Sequence, residues 1–210
     1  MPILTRIAVI LLLTGLSACA SDDEGTLGSA FTSQASLLQA GFAPGASIGA
    51  SHGGPAKPPS GYAGFCGRFP DQCTAPRGAA HEVDLTDDVW NMLEEVNANV
   101  NAAIVPEDDS VHYGTQEYWT IPTDGFGDCE DYVVAKRQAL IRLGLPEPAL
   151  RITVVFTPHF VRHAVLTVAT DKGDYVLDNL RGEIVTGEKT GYAFVERQDP
   201  ASPSGWVSLK

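Results

Sequence analysis

The chain has 210 residues, 44% of them hydrophobic and 19% charged, a composition typical of a globular protein with its own core. Its 14 basic and 26 acidic residues give a net charge of −12 at pH 7. This balance argues against nucleic acid as a partner, because phosphate binding needs a basic face and the Lys and Arg residues form no cluster. The acidic excess is compatible with hard cations such as calcium.

The first 20 residues have the pattern of an export signal. Arg6 precedes an apolar run over residues 7–13 that is too short to span a bilayer as a mature helix. The sequence LSAC matches a bacterial lipobox and predicts a lipid on Cys19, which would be the protein's sole membrane contact. Ordinary cleavage after Ala20 is the alternative. Both routes predict export to the periplasm.

Residues 21–60 are rich in Gly, Ala, Ser and Pro and lack an apolar period, which is typical of a flexible tether. We therefore predict one folded domain over residues 61–210, which is a normal domain size. Within it, Cys66 and Cys73 are close enough in sequence to form a disulfide in an oxidising compartment, and two buried free thiols are the alternative. A lipid on Cys19 and this disulfide would leave Cys129 unpaired.

Two helices and three strands are predicted in the domain. Residues 85–104 have apolar side chains at helical spacing, with Asp84 or Thr86 as the N-cap. A second helix begins at Asp128 or Cys129 and runs to Gly144, a natural C-terminal stop. The β-branched runs RITVVFT, HAVLTVAT and DYVLDNL follow. Helices followed by an antiparallel sheet predict an α+β domain.

Cys129 opens the second predicted helix among three carboxylates, those of Asp128, Glu130 and Asp131. The first turn of a helix lowers the pKa of a thiol, whereas adjacent negative charge raises it. An imidazolium beside the sulfur or a divalent cation on the carboxylates would resolve this conflict. Alternatively, Glu130 and Asp131 only stabilise the helix N-terminus, as acidic first-turn residues commonly do.

His163 and Asp178 lie on two successive predicted strands and supply partners for Cys129. A two-residue turn at residues 171–172 places the two side chains diagonally on one face of the sheet, within reach of each other. A three-residue loop would place them on opposite faces. In the first case an imidazole can deprotonate the thiol and a carboxylate can orient the imidazole.

The block YWTIPTDGFGDCEDYVVAKRQALIRLGLPEPALRITVV, followed by RHAVLTV and DYVLDNL, resembles the bacterial transglutaminase-like cysteine peptidases. FCGRFPDQC, the VNANVN helix and GYAFVERQ extend the resemblance over most of residues 61–206. It implies a papain-like core, with the nucleophile at a helix N-terminus packed on an antiparallel sheet. It also implies that Cys129 is the nucleophile, His163 the general base and Asp178 the orienting acid.

The resemblance further implies calcium and a class of substrate. Asp128, Glu130 and Asp131 match the acidic positions beside the family's cysteine, where characterised members bind calcium. The family includes a periplasmic protease that clips large biofilm adhesins, so the expected substrate is a protein of the surface adhesin type. Some relatives are restrained by the periplasmic domain of a cyclic-di-GMP receptor, which is the expected partner.

Two other functions remain open at this point. The same triad serves transglutaminases, so acyl transfer to an amine is one alternative to hydrolysis. The other is a calcium-dependent binding lipoprotein without catalysis. The presence of Cys129, His163 and Asp178 together argues against it, because a site that has lost its activity has no need of all three. Before the nucleophile, Trp119 is predicted to pack in the core, and Gln116 is a candidate for holding an oxyanion.

Overall fold

The computed structural model describes residue 48, residues 52–74 and residues 81–209. The described ranges do not include the predicted signal segment, which contains Cys19, or residues 21–47 and 49–51 of the predicted tether. Within the described ranges, no helix is long and apolar enough to cross a bilayer.

The described chain combines helices with one large sheet. Its strands are β1 (His52–Ala56), β2 (Val105–Pro106), β3 (Phe126–Gly127), β4 (Leu150–Phe156), β5 (Arg162–Thr170), β6 (Gly173–Leu177), β7 (Val185–Thr186), β8 (Ala193–Asp199) and β9 (Ser202–Leu209). Its α-helices are α1 (Tyr62–Arg68), α2 (Asp87–Ala103), α3 (Asp109–His112), α4 (Cys129–Arg142) and α5 (Gly187–Thr190). Seven strands form an antiparallel sheet in the order β1-β9-β8-β4-β5-β6-β7, and β2 and β3 form a separate parallel pair. The predicted α+β class is confirmed.

The fold begins before the predicted domain boundary at Gly61. Strand β1 lies within the predicted tether and pairs with β9, where Ala56 is opposite Trp206. A segment rich in Gly and Pro is tolerated here because an edge strand needs partners on one side only. This segment has no apolar period and is ordered by its backbone hydrogen bonds to β9. Its composition therefore indicated a tether although the segment forms a strand.

Helix α4 is the element that carries the predicted nucleophile, and its ends follow the sequence signals. Cys129, one of the two predicted starting residues, is its first residue, and Asp128 is its N-cap. It ends at Arg142, two residues before Gly144, whose φ of 98° is the left-handed conformation that stops a helix. Its buried side, which includes Val133 and Leu140, packs in the main core between α2 and the sheet.

Two further local predictions are confirmed. Cys66 and Cys73 form a disulfide with an S–S distance of 2.04 Å. Helix α2 is capped by Thr86, whose hydroxyl oxygen accepts a hydrogen bond from the amide of Val89 at 3.2 Å. This bond satisfies one of the amides left unpaired at a helix start.

Candidate active site

His163 on β5 and Asp178, directly after β6, meet because of the turn that joins these two strands. The β5–β6 turn has two residues, since Thr170 pairs with Gly173. This register brings His163 Nε2 to 2.8 Å from Asp178 Oδ1, and both side chains are buried. The contact expected for a two-residue turn is therefore present.

Asp178 is held by several donors besides His163. The hydroxyl of Tyr192 donates to Oδ2 at 2.6 Å, and the amide of Leu180 donates to Oδ1 at 2.9 Å. Burial by itself raises the pKa of Asp178, but the hydrogen bonds from His163, Tyr192 and Leu180 outweigh it and hold the pKa below its usual value. An ionised carboxylate only accepts, so Nε2 of His163 carries a proton and Nδ1 is the nitrogen left for acid–base chemistry.

The sulfur of Cys129 lies against the strand that carries the imidazole. The amide of Ala164, the residue after His163, donates to Sγ at 3.4 Å. Cys129 and His163 line one cleft, together with Pro59, Asp108, Ser110, Gln116, Glu117, Trp119, Asp128, Glu130, Val154, Arg162 and Ala164.

The prediction that Cys129 is unpaired is wrong for this structure, in which Cys129 is disulfide-bonded. Only a thiolate attacks a carbonyl, so the bond must be reduced before Cys129 can react. The prediction assumed a lipid on Cys19, a residue that lies outside the described ranges.

Three aspartates converge at the start of α4. Asp109, Asp128 and Asp131 are buried, and each offers a carboxylate oxygen within 4.8 Å of the others. The amide of Thr120 donates to Asp131 Oδ1 at 2.7 Å, and that of Tyr118 donates to Asp109 Oδ2. The remaining oxygens, Asp109 Oδ1, Asp128 Oδ1 and Asp131 Oδ2, have no hydrogen-bond partner among the described residues. We call these three residues the aspartate cluster.

The aspartate cluster is electrostatically unfavourable without a cation. Burial raises the pKa of Asp128 to about 7. A hydrogen bond with Glu130 lowers this pKa, and the negative charge of Asp109 raises it further. Burial and the charge of Asp128 raise the pKa of Asp131 to about 8. Unpartnered buried carboxylate oxygens are costly, and hard oxygen ligands are what calcium prefers. The donor set therefore fits a calcium ion.

Glu130, the third predicted metal ligand, is placed differently. It belongs to a second group with Asp128 and Cys129, and its Oε2 lies 3.3 Å from Sγ. Burial, and then repulsion from Asp128, raises its pKa well above the ordinary value. Successive residues leave a helix about 100° apart, which separates the directions of Glu130 and Asp131.

Trp119 and Gln116, the two residues that were assigned roles before the nucleophile, differ in burial. Trp119 packs edge-on against Tyr62 and Trp206, with ring centroids 5.1 and 6.4 Å away, as a core residue does. Gln116 is exposed and lines the cleft. The predicted packing role of Trp119 agrees with this arrangement.

The family model of the bacterial transglutaminase-like cysteine proteinases matches residues 52–210, a range that begins with β1. The chain belongs to this family. Because the members of this family are cysteine proteinases, the cleft that contains Cys129 and His163 is the candidate active site. No curated protein matches the chain.

Solved structures of Legionella pneumophila LapG are similar to part of the family domain. The EGTA-treated form is 30% identical over 52% of this chain and 62% of that chain, with a TM-score of 0.47. The calcium-bound form is 28% identical over 53% of this chain and 65% of that chain, also with a TM-score of 0.47. The chain thus spans less than two thirds of each of these proteins.

Sequence reasoning missed Tyr192 and Asp109. Tyr192 lies in GYAFVERQ, a segment that carried the family resemblance but had no assigned role. Asp109 lies in the run EDDS, where acidic residues before a short helix are ordinary caps. Neither has a local signal, because their partners are distant in sequence.

Replacing Tyr192 with phenylalanine is expected to slow the labelling of reduced Cys129 by a thiol-reactive peptide probe about threefold to tenfold. The change removes one charge-assisted hydrogen bond from Asp178 and leaves His163 less firmly oriented. The rate should be measured from pH 4 to pH 9. Tyr175→Phe is the control, because that ring packs on Trp90. Equal rates for the two variants would show that the hydroxyl of Tyr192 has no part in the site.

Proposed function

We propose that the chain is a cysteine endopeptidase with Cys129 as nucleophile, His163 as general base and Asp178 as orienting acid. The observation that supports this most strongly is the buried His163–Asp178 hydrogen bond of 2.8 Å, formed one residue from the amide that contacts Sγ of Cys129. Ionised Asp178 keeps a proton on Nε2, so the base is Nδ1.

In the proposed reaction, Nδ1 of His163 takes the proton of the Cys129 thiol. The thiolate attacks the scissile carbonyl, and the imidazolium then gives its proton to the leaving amine, which leaves a thioester on Cys129. Water attacks the thioester with His163 again as base. Amide groups at the start of α4 and the side chain of Gln116 are the candidate donors to the oxyanion.

Calcium is proposed as the resident cation of the aspartate cluster. Its positive charge would offset the repulsion among Asp109, Asp128 and Asp131 and fix the segment that precedes Cys129. The unpartnered oxygens of the three aspartates support this assignment. The family resemblance supports it as well, since it implies calcium at the acidic positions beside the cysteine. Glu130 is proposed as a ligand only through the oxygen that does not face the sulfur.

The cellular setting is proposed from the sequence and the family. The signal pattern supports export to the periplasm, with a lipid on the thiol of Cys19 as the anchor of the form in which Cys129 is reduced. The family supports a protein substrate, for which we propose a surface adhesin. The periplasmic domain of a cyclic-di-GMP receptor is the proposed regulatory partner.

Hydrolysis can be tested by incubating the reduced protein with an adhesin fragment, calcium and a labelled primary amine in ¹⁸O-water. A peptidase should introduce ¹⁸O into new C-termini, and mass spectrometry would detect it. Amine incorporation without ¹⁸O would instead indicate acyl transfer. Neither product, together with no labelling of Cys129 by a thiol-reactive probe, would overturn catalysis in favour of binding.

A further inference from the structure

One residue of the predicted tether lies in a buried cluster on the second face of the sheet. Ile48 is 4% exposed and shares this cluster with Val155, Val165, Val176, Tyr192 and Leu209. Side chains alternate along a strand, so the three valines point away from the main core that contains α4. Ile48 precedes β1 and lies outside residues 52–210, the range that matches the family. A residue from outside the family domain therefore completes part of its core.

The backbone of Ile48 is bound as well as its side chain. Nη1 of Arg197 donates to the carbonyl of Ile48 and lies 3.5 Å from Oδ2 of Asp174. Both Arg197 and Asp174 are buried, with Arg197 only 2% exposed. A buried guanidinium needs acceptors for its donors, and the tether backbone supplies one of them here. The position of Ile48 is therefore fixed by a polar contact and by apolar packing together.

The side chain of Ile48 packs against Gly187, the first residue of α5. A Cβ atom at Gly187 would lie 2.3 Å from Cδ1 and 2.4 Å from Cγ1 of Ile48, closer than non-bonded carbon atoms approach. The φ of Gly187 is outside the left-handed region, so its backbone conformation does not require glycine. Close packing with Ile48 is therefore the physical reason for a glycine at this position.

Helix α5 connects Gly187 to the proposed triad through Tyr192. The hydroxyl of Thr190 donates to the carbonyl of Gly187 at 2.6 Å and accepts from the amide of Tyr192 at 3.0 Å. The hydroxyl of Tyr192 donates to Asp178, and its ring lies edge-on to that of His163, with centroids 6.0 Å apart. A displacement of Gly187 would therefore be transmitted to the carboxylate and the imidazole.

We propose that the predicted tether docks on the second face of the sheet through Ile48, and that this contact positions Tyr192 against Asp178. Ile48 is then a positioning residue, which acts through α5 and touches no reacting atom. The segment before β1 becomes part of the catalytic unit instead of a free spacer. The positioning role rests on the proposed triad, whereas the docking does not.

Docking is tested by exchanging side-chain volume between Ile48 and Gly187 in the full-length protein. Ile48→Ala leaves a void and should lower the melting temperature by about 5 to 10 °C. Gly187→Ala places a methyl group against Ile48 and should also lower it. In the Ile48→Ala background, where the methyl group has room, Gly187→Ala should cost less than half as much.

Gly182→Ala is the matched control, because a Cβ atom at Gly182 meets nothing within 4 Å. It should have the same effect in both backgrounds. If Gly187→Ala alone does not fold, recovery of folded protein in the double variant is the corresponding result. A Gly187→Ala variant that costs nothing by itself, or costs equally in both backgrounds, would overturn the docking of Ile48.

The positioning role is tested by hydrolysis of an adhesin fragment by the reduced protein with calcium, below the melting temperature of every variant. Ile48→Ala should lower kcat about threefold to tenfold and leave KM unchanged, and Ile48→Val should retain kcat. Added to Tyr192→Phe, Ile48→Ala should cause no further loss, because the hydroxyl through which it acts is already absent. Leu150→Ala is the control for stability, since Leu150 is buried in the main core. It should lower the melting temperature and leave kcat unchanged.

The two parts of the proposal fail in different ways. An unchanged kcat in Ile48→Ala, or losses that add fully to those of Tyr192→Phe, would overturn the positioning role. No hydrolysis by the unmodified protein would overturn the proposed function and the positioning role together. The volume exchange would decide the docking of Ile48 in that case as well, because melting temperatures do not depend on catalysis.

Discussion

Replacement of Cys129 with alanine is expected to reduce peptide hydrolysis by roughly four to six orders of magnitude, since a cysteine peptidase has no other group that can form the acyl intermediate. His163→Ala should be nearly as damaging, because it removes the imidazole that takes the proton of the thiol and later protonates the leaving amine. Asp178→Asn should cost less, since the imidazole remains but loses the carboxylate that orients it. Hydrolysis of an adhesin fragment, followed by mass spectrometry, measures all three effects.

The fold should survive the change at Cys129. The side chain is small, so its removal from the form in which Cys129 is reduced should lower the free energy of unfolding by about 1 kcal/mol. The other bridged cysteines provide the control. Cys66→Ala combined with Cys73→Ala should lower the free energy of unfolding by about 2 kcal/mol and leave hydrolysis intact. Hydrolysis at the unmodified rate by Cys129→Ala would remove Cys129 from the mechanism.

Removal of calcium is expected to lower the melting temperature, and the loss should be larger at pH 8 than at pH 5. In the metal-free fold the pKa values of Asp128 and Asp131 are about 7 and about 8, above the ordinary value of 3.8 that applies to the unfolded chain. Between pH 4 and pH 8 the fold therefore retains protons that the unfolded chain releases. The free energy of unfolding of the metal-free protein accordingly falls as the pH rises through this range.

Calcium should reverse this trend because it binds the ionised carboxylates. Its affinity should rise from pH 5 to pH 8, and saturation should stabilise the fold by mass action and restore activity. Thermal unfolding of EGTA-treated, dialysed protein at each pH, followed by a calcium titration, measures the effect. A melting temperature that responds neither to pH nor to calcium would show that the acids only support the helix start.

Substitutions in the aspartate cluster make the same test specific. Asp109→Asn and Asp131→Asn should each blunt the response to calcium and raise the stability of the metal-free protein at pH 8, because each removes one of the repelling charges. Asp88→Asn is the control, since Asp88 is an exposed acid in the first turn of α2. An equal calcium response in Asp109→Asn and Asp88→Asn would exclude Asp109 as a ligand.

Local rules were sufficient for much of the candidate site. Helical periodicity and a glycine stop predicted α4 with its start at Asp128 or Cys129. For His163 and Asp178 the sequence left two turn lengths open. The two-residue turn of the structure places both side chains on one face, because side chains alternate along a strand and the register follows from the turn. The spacing of Cys66 and Cys73 indicated their disulfide for a similar reason, since both residues lie within one short segment.

Tertiary structure decided which residues from distant segments contact the aspartates, Asp178 and β1. Asp109 completes the aspartate cluster from a helix 19 residues before Asp128, while Glu130, beside the predicted ligands in sequence, faces the sulfur instead. Tyr192 reaches Asp178 from beyond β7, and β1 is ordered by backbone pairing with the last strand. These contacts arise only when the strands have paired into the sheet and the surrounding apolar surface is buried. No periodicity or spacing in the amino-acid sequence encodes them locally, because each depends on the packing of distant segments.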